Sequence, residues 1–221
     1  MLATGTPAIC ARCVQAALPP RSHRCPICSH RLSSAGEQCG NPICNWEDRG
    51  FGQIYAIYAK TGAVDRILKA LKYDGKKGWA VILGRLVLGW LDENLSPDDY
   101  DLIIANPTEP GRAIHHTELI LEVADGEDLE DVWPIFPDAL VKSGPTSQSG
   151  QPGTKWRTKW DAANELRSVV TPADWVNFEG ARVLLFDDIT TICGQIHVLG
   201  EMLTQWGASQ VDGLVIARTG G

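Results

Sequence analysis

The stretch VLLFDDITTICG, residues 183–194, decides the fold. Four apolar residues run into two adjacent carboxylates, Asp187 and Asp188, and then into hydroxyl residues. The apolar run predicts a buried strand at 182–186, and a helix is predicted from Gly194. In an open α/β sheet, ligands bind beyond the carboxyl ends of the strands, and the free amides at a helix N-terminus suit a phosphate. Two carboxylates beside them accept hydrogen bonds from sugar hydroxyls, so the stretch predicts a site for a phosphorylated sugar.

Strand and helix patterns alternate along the chain on both sides of this stretch. This alternation predicts a mainly parallel sheet flanked by helices. A run rich in Gly, Pro, Ser and Thr at 143–155 predicts a mobile loop. The predicted strands are 53–59, 101–106, 132–136, 182–186 and 211–217, and the predicted helices are 62–73, 79–91, 113–123 and 194–206.

Composition and charge limit the classes of function. The 221 residues carry a net charge of −7, which argues against a general nucleic-acid binder, although the first fifty residues hold five Arg and only three acids. We therefore divide the chain into a small module at 1–50 and an α/β domain at 51–221. No apolar run is long enough to span a membrane, and the first residues lack a secretory pattern. We expect a cytoplasmic protein.

Six of the seven cysteines lie in the predicted module. Their paired short spacings are typical of a structural zinc site, in which two cysteine turns supply four thiolates. Such a site also stabilises a module too small to bury a core of its own. The spacings are Cys10-x2-Cys13, Cys25-x2-Cys28 and Cys39-x4-Cys44. Four alternatives remain open: the first four cysteines, the last four, a cluster of all six, or a second site completed by His23 or His30.

The sequence resembles the ComF-like branch of the type I phosphoribosyltransferases, which place a cysteine zinc ribbon before the catalytic domain. The resemblance spans roughly residues 10–218. It is carried by the cysteines, by the Asp187-Asp188 stretch and by a helix ending in Lys72-Tyr73. Weaker matches are Asn106-Pro107, the block from Arg112 to Leu119, Gln148 and Asn164. The resemblance implies a type I phosphoribosyltransferase fold and a phosphoribosyl pyrophosphate substrate with magnesium.

The resemblance also implies roles for individual residues. Asp187 and Asp188 would contact the 2- and 3-hydroxyls of the ribose. The other implied contacts are Thr190, Thr191 and Gly194 to the 5-phosphate, Asn106 and Pro107 near the pyrophosphate, Arg112 at the substrate, and Lys155, Arg157 and Lys159 closing over the leaving group.

The sequence departs from the family pattern after the two aspartates. Ile192 replaces a hydroxyl residue, Cys193 replaces a glycine and Gln195 replaces a threonine. The phosphate cradle is retained if Gly194 takes over by a shift of one residue. These departures support a second hypothesis. In it the chain is a catalytically impaired adaptor in DNA uptake or processing, whose zinc module binds single-stranded DNA or a DNA-processing protein.

Three further features have two interpretations each. Cys193 is interpreted as a buried filler rather than a reactive thiol, and His115 and His116 as surface or capping residues. Trp156 and Trp160 either stack a base or pack as a lid.

Overall fold

A parallel five-stranded sheet forms the centre of the protein. The computed structural model describes residues 23–60, 62–147 and 155–219. The spatial order of the sheet is β1-β7-β6-β2-β3, and β4 and β5 form a separate antiparallel pair. The strands are β1 (Ile54–Ala59), β2 (Leu102–Ala105), β3 (Ile135–Phe136), β4 (Leu140–Lys142), β5 (Val170–Pro172), β6 (Arg182–Thr190) and β7 (Gln210–Arg218).

Helices cover both faces of the sheet. One apolar cluster joins α1, α2 and α3 to one face, and a second joins α4, α5 and α6 to the other. Within the described ranges, no helix combines the length and the apolar character needed to cross a membrane. The helices are α1 (Gly62–Lys72), α2 (Gly78–Asn94), α3 (His116–Glu127), α4 (Trp156–Asn164), α5 (Leu166–Val169) and α6 (Gly194–Gln205), with short 3-10 helices at Pro42–Asn45 and Pro97–Asp99.

Strand β6 lies at the middle of the sheet and is buried on both faces. Side chains of a strand alternate between faces. Accordingly, Val183 and Leu185 join the cluster with α6, whereas Leu184 and Phe186 join the cluster with α1, α2 and α3. This explains why the strand is apolar at every position from 183 to 186 rather than at every second one.

The structure confirms the predicted mainly parallel sheet with flanking helices, but several bounds differ. Strand β6 continues through Thr190, so the two aspartates lie within the strand rather than after it. Helix α3 begins at His116, later than predicted, because the segment from Pro107 to His115 forms an extended turn. The sequence reading missed the short pair β4 and β5 and helices α4 and α5. Of the predicted loop at 143–155, residues 148–154 lie outside the described residues.

The cysteine segment, residues 23–50, packs against the free edge of β1. The Ile54 amide donates to the Ile27 carbonyl at 2.7 Å, and the Ser29 hydroxyl donates to the Ile54 carbonyl at 2.7 Å. Arg24 donates to the Ala56 carbonyl at 3.1 Å. The segment shares one apolar cluster with β1 and α6. The division of the chain at residue 50 stays a prediction.

The end of the cysteine segment approaches helix α6 through two glycines. A Cβ atom on Gly200 would overlap the backbone carbonyl of Gly50, and a Cβ on Gly50 would overlap the carbonyl of His197. The Gly50 amide also donates to the His197 imidazole Nδ1 at 2.9 Å. Only glycine permits this close approach of two backbones.

Replacing Gly200 should therefore separate the cysteine segment from α6. Gly200→Ala should lower the free energy of unfolding by roughly 1–3 kcal/mol, since the overlap outweighs the gain in helix propensity. Urea unfolding measures the change. Gly89→Ala is the matched control, because Gly89 lies within α2 and an added Cβ meets nothing within 4 Å. Equal stability of the two variants would contradict the proposed close contact.

Candidate functional site

The main cavity lies where the strand order reverses. After β2 the chain passes to β3 on one side, whereas β6 lies on the other side of β2. Ligands of open α/β sheets bind at such a switch point, outside the carboxyl ends of the strands. A cavity of about 680 Å³ occupies this position, and residues 106–109 after β2 and residues 187–195 of β6 and the following turn line it. The cavity lies beside Asp187 and Asp188, whose predicted roles stay predictions.

Asp187 and Asp188 are both buried at the end of β6. The Asp188 carboxylate lies 2.5 Å from the Lys72 ammonium, and 3.7 Å from His116 Nε2. One Asp187 oxygen accepts the backbone amide of Asp188 at 2.9 Å. Helix α1 therefore brings Lys72, its last residue, against the second aspartate, and His116 faces the same carboxylate from the start of α3.

The two aspartates differ in their protonation. Burial and then the charge of Asp188 raise the pKa of Asp187 well above its usual range. Burial also acts to raise the pKa of Asp188, but Lys72 and His116 outweigh it and hold that pKa far below its usual range. Adjacent buried carboxyls commonly separate in this way. Near neutral pH, Asp188 is an ion-paired acceptor, while Asp187 retains its proton more tightly.

The turn after β2 is shaped by two side chains of α3. Thr117 donates to the Asn106 carbonyl at 2.8 Å, and Glu118 accepts the Thr108 amide at 2.6 Å. The Asn106 amide group donates to Gln195 at 3.0 Å, which joins this turn to the start of α6. Asn106 and Pro107 both line the cavity, and their role near a pyrophosphate stays a prediction. Glu118 was not predicted, because a lone acid in a helix has no sequence signature.

Arg112 also lines the cavity, but its guanidinium is paired with a carboxylate. Its guanidinium lies 3.7 Å from Glu109, which lines the cavity too. An ion pair at this distance leaves the guanidinium weakly held, because much of the pair's attraction is screened by water. The Glu109 carboxylate in this turn is therefore accompanied by a cation.

The β6–α6 turn, residues 190–193, uses its hydroxyls internally. Thr190 accepts the Cys193 amide at 3.1 Å, and Thr191 lies 3.3 Å from the Thr219 hydroxyl. Cys193 has φ 66°, a left-handed conformation that usually requires glycine. The turn thus adopts the glycine-type geometry without a glycine.

The one-residue shift to Gly194 that was considered from the sequence does not occur. The left-handed residue is Cys193 itself, while Gly194 begins α6. A Cβ on Gly194 would come within 3.3 Å of Ala163 in α4 and 3.2 Å of Ile192. Gly194 is therefore needed for helix packing rather than for φ. Ile192 lines the cavity, as do Thr190, Thr191 and Gly194.

Only one of the three cations predicted to close over the leaving group lines the cavity. Lys159 does so, whereas Arg157 is exposed and pairs with Asp161 at 3.1 Å. Lys155 precedes α4 and is exposed. Three cations that were not predicted from the sequence also line the cavity. These are Lys60, Lys69 and Lys142, which come from separate elements and form no motif.

The cavity is positively charged in an acidic protein. Six Lys or Arg residues line it, against four carboxylates. The cations are Lys60, Lys69, Lys72, Arg112, Lys142 and Lys159, and the carboxylates are Asp65, Glu109, Asp187 and Asp188. This charge favours a multiply charged anion.

The tryptophans beside these cations pack against each other. Trp156 and Trp160 stack with their ring centroids 5.5 Å apart. Trp160 also contacts Trp46 at 5.1 Å and His197 at 5.3 Å. Within the described part of the chain, the residues that line the cavity do not include any of these four rings. Their contacts join α4 to the cysteine segment and α6.

Four buried cysteines come together in the cysteine segment. Potential ligand atoms of Cys25, Cys28, Cys39 and Cys44 all lie within 4.8 Å of one another. The Cys25–Cys44 and Cys28–Cys39 sulfur pairs are 3.9 and 3.7 Å apart. A tetrahedral ion with metal–sulfur distances of about 2.3 Å separates its sulfurs by about 3.8 Å. The thiols therefore fit a structural metal site.

This cluster corresponds to one of the alternatives left open by the sequence, the last four cysteines. Cys10 and Cys13 lie outside the described residues. His23 is exposed and His30 is half-buried, and neither belongs to the close group found among the described residues. The set that is brought together is made of thiols only.

The sequence matches no protein-family model, and no curated protein matches it. Among solved structures, one described as the structure of the allosteric regulatory enzyme of purine biosynthesis aligns with 17% identity and a TM-score of 0.35. The alignment covers 62% of this chain and 25% of that chain. The chain thus spans about a quarter of that enzyme chain. At this level of similarity the alignment carries no functional argument, and the site is interpreted from its own residues.

Lys72 should be the main partner of the buried Asp188 charge. Because the folded-state pKa of Asp188 is lowered, the ion pair contributes fully above the ordinary Asp pKa of about 4, and its contribution is lost as the pH falls from there toward the lower folded-state pKa. Lys72→Met should therefore cost about 3 kcal/mol at pH 7, and less at about pH 3. Unfolding titrations at both pH values measure the difference.

Lys69→Met is the matched control for this experiment. Lys69 lies on the same helix and pairs with Asp65 at 2.7 Å, but it is exposed. It should change stability little at either pH. A cost of Lys72→Met that does not depend on pH would contradict the role assigned to the ion pair.

Metal content should distinguish the cysteine sets. Cys39→Ser should abolish retention of one zinc ion per chain, since three thiolates hold zinc far less tightly than four. The Cys10→Ser, Cys13→Ser double variant should retain it. Elemental analysis of purified proteins measures the ratio, and loss of the metal from the double variant would favour one of the other sets.

Proposed function

We propose that this chain is a phosphoribosyltransferase-like protein that binds phosphoribosyl pyrophosphate, or a related ribose 5-phosphate, in the cavity at the strand switch point. The observation that supports it most is the placement of Asp187 and Asp188. Both are buried at the cavity beside a left-handed turn and the start of α6. Carboxylates for sugar hydroxyls and free helix amides for a phosphate are thereby combined in one place.

The two carboxylates have different parts in this proposal. Asp188 is ionised and accepts a hydrogen bond from one ribose hydroxyl while Lys72 holds its other oxygen. Asp187 keeps its proton more readily and binds the neighbouring hydroxyl as donor or acceptor.

The positive cavity suits the leaving group of a phosphoribosyl transfer. Cleavage of the bond between C1 of the ribose and pyrophosphate builds positive charge on the sugar and negative charge on the departing oxygen. Lys72, Lys142 and Lys159 all line the cavity and would stabilise that negative charge. Magnesium, when bound with the substrate, would supply further neutralisation of the pyrophosphate.

The cysteine site is proposed to hold zinc with a structural role. Four thiolates fill all four positions of a tetrahedral ion, so none is open for catalysis. The order of a cysteine module followed by an α/β domain is what the ComF-like resemblance implies. We assign the chain to that branch as part of this proposal.

A catalytically impaired adaptor is the second candidate. It is favoured by Ile192, an apolar side chain that lines the cavity where the family pattern has a hydroxyl. Two arginines of the cysteine segment are already used within the protein, because Arg24 donates to Ala56 and Arg49 donates to Trp46 and Gly52. Because these two guanidinium groups already donate to backbone carbonyls, they are less available for the phosphates of DNA. This observation counts against the adaptor.

Calorimetric titration with phosphoribosyl pyrophosphate and magnesium tests the first proposal. Wild-type protein should release heat, and Asp188→Asn and Asp187→Asn should each weaken binding at least about tenfold, as loss of a hydrogen bond to a charged group does. Asp212→Asn is the matched control. Asp212 is equally buried in β7, accepts hydrogen bonds from Tyr100 and Gln53, and does not line the cavity.

The same titration separates the two candidates. Folded, zinc-loaded protein that gives no heat with phosphoribosyl pyrophosphate would rule out the first. If that protein instead binds a single-stranded oligonucleotide at low salt, the adaptor is favoured. Binding of phosphoribosyl pyrophosphate that survives both aspartate substitutions would place the ligand elsewhere.

A further inference from the structure

Arg218 connects the cysteine site to the β6–α6 turn. It is the last residue of β7, it is only 4% exposed, and it is not among the residues that line the cavity. Its Nε donates to the Cys28 carbonyl at 2.9 Å, and its Nη2 lies 3.6 Å from the Cys28 sulfur. Its Nη1 donates to the carbonyls of Thr190 and Thr191. One guanidinium thus holds both a candidate metal ligand and the turn.

The contact with Cys28 has the character of an outer-shell metal contact. Four thiolates around a divalent ion leave a net charge of about −2, and a guanidinium beside one sulfur offsets part of it. Groups that hydrogen-bond to ligands set ligand orientation and metal affinity. The contact between Arg218 and the Cys28 sulfur should therefore differ between the metal-bound and the metal-free protein.

The contact with the turn fixes its backbone. Thr190 and Thr191 are consecutive, and both of their carbonyls accept from the same nitrogen. This nitrogen also lies 2.5 Å from the Thr219 carbonyl oxygen, so its two hydrogens are shared among three backbone oxygens. Because a carbonyl and the next amide belong to one rigid peptide plane, fixing these carbonyls also fixes the following amides, those of Thr191 and Ile192.

Cys193 provides a second, separate connection. Its side chain is fully buried and its sulfur accepts from the Asn41 side chain at 3.3 Å. The Asn41 backbone amide in turn donates to the Cys39 sulfur at 3.5 Å. The left-handed residue of the turn is thus held by the residue that contacts another candidate ligand. Glycine at 193 would give the same φ but would lack this contact.

We infer that metal binding at the four cysteines positions the β6–α6 turn for its anionic ligand, with Arg218 as the positioning residue. The identity of the ligand rests on the proposed function, whereas the coupling of metal to turn does not. Coupling between two sites is reciprocal, so the ligand must also strengthen metal retention by the factor by which the metal strengthens ligand binding. Lysine cannot replace this arginine, because one ammonium does not span the carbonyls and the sulfur.

Hydrogen exchange tests the coupling without any ligand. Removing the metal from wild-type protein with a chelator should speed exchange of peptides covering residues 190–196 by about tenfold. Hydrogen exchange of peptides from α2, on the opposite face of the sheet, should stay unchanged. This is the control that the protein remains folded without the metal. Arg218→Met should show the fast exchange even when loaded with metal. Equal exchange of the turn with and without metal in folded wild-type protein would overturn the inference.

Cobalt substitution gives an independent readout at the metal. The thiolate-to-cobalt absorption of Arg218→Met should differ from that of wild type, and its metal affinity should fall by about 10–100-fold. Arg218→Lys should resemble Arg218→Met. Arg24→Met is the matched control, since Arg24 also ties the cysteine segment to the sheet but contacts Ala56 rather than the turn. Identical spectra and affinities for wild type and Arg218→Met would contradict the assignment.

The ligand arm distinguishes the inference from the proposed function. Phosphoribosyl pyrophosphate with magnesium should slow cobalt loss to a chelator in wild type, and should fail to do so in Arg218→Met. Wild-type protein that binds no phosphoribosyl pyrophosphate would defeat the proposed function, while the exchange and cobalt results would still decide the inference. Ligand binding without any effect on cobalt loss would defeat the inference and leave the function standing.

Discussion

Two adjacent carboxyls at the end of a fully buried strand impose the main constraint on this structure. Asp187 and Asp188 are both buried, so a negative charge on this pair must be compensated mainly inside the protein. Lys72 supplies the compensation for Asp188, and this requires α1 to end at that point of the sheet. His116 approaches the same carboxylate from α3. Two helices therefore converge on one buried carboxylate, and the cavity lies beside it.

The sequence predicts the sheet well because burial on both faces leaves a clear apolar signal. The run at 183–186 is an example, since each of its residues packs into one of the two apolar clusters. The two aspartates and the turns after β2 and β6 were also located, because strand ends in this architecture meet at one edge. The local pattern of apolar residues is sufficient to predict an element when the same residues form the element and are buried in the core.

The parts that were missed depend on contacts between distant residues. Lys60, Lys69 and Lys142 reach the cavity from three separate elements, and nothing in their neighbours indicates it. Likewise, Cys193 reads as a departure from a glycine pattern, yet its left-handed backbone is retained through a contact with Asn41, about 150 residues earlier. His116, interpreted as a surface or capping residue, faces Asp188. Short elements such as α5 and β5 carry too few residues to show a period.

The hydrogen bonds between the cysteine segment and β1 have a consequence for association between chains. Strand β1 is an edge of the sheet, and its outward-facing groups at Ile54 and Ala56 are occupied by Ile27, Ser29 and Arg24. An edge strand whose backbone groups are free is a template for pairing with another chain. The cysteine segment thus also covers the edge at which a second chain would otherwise pair.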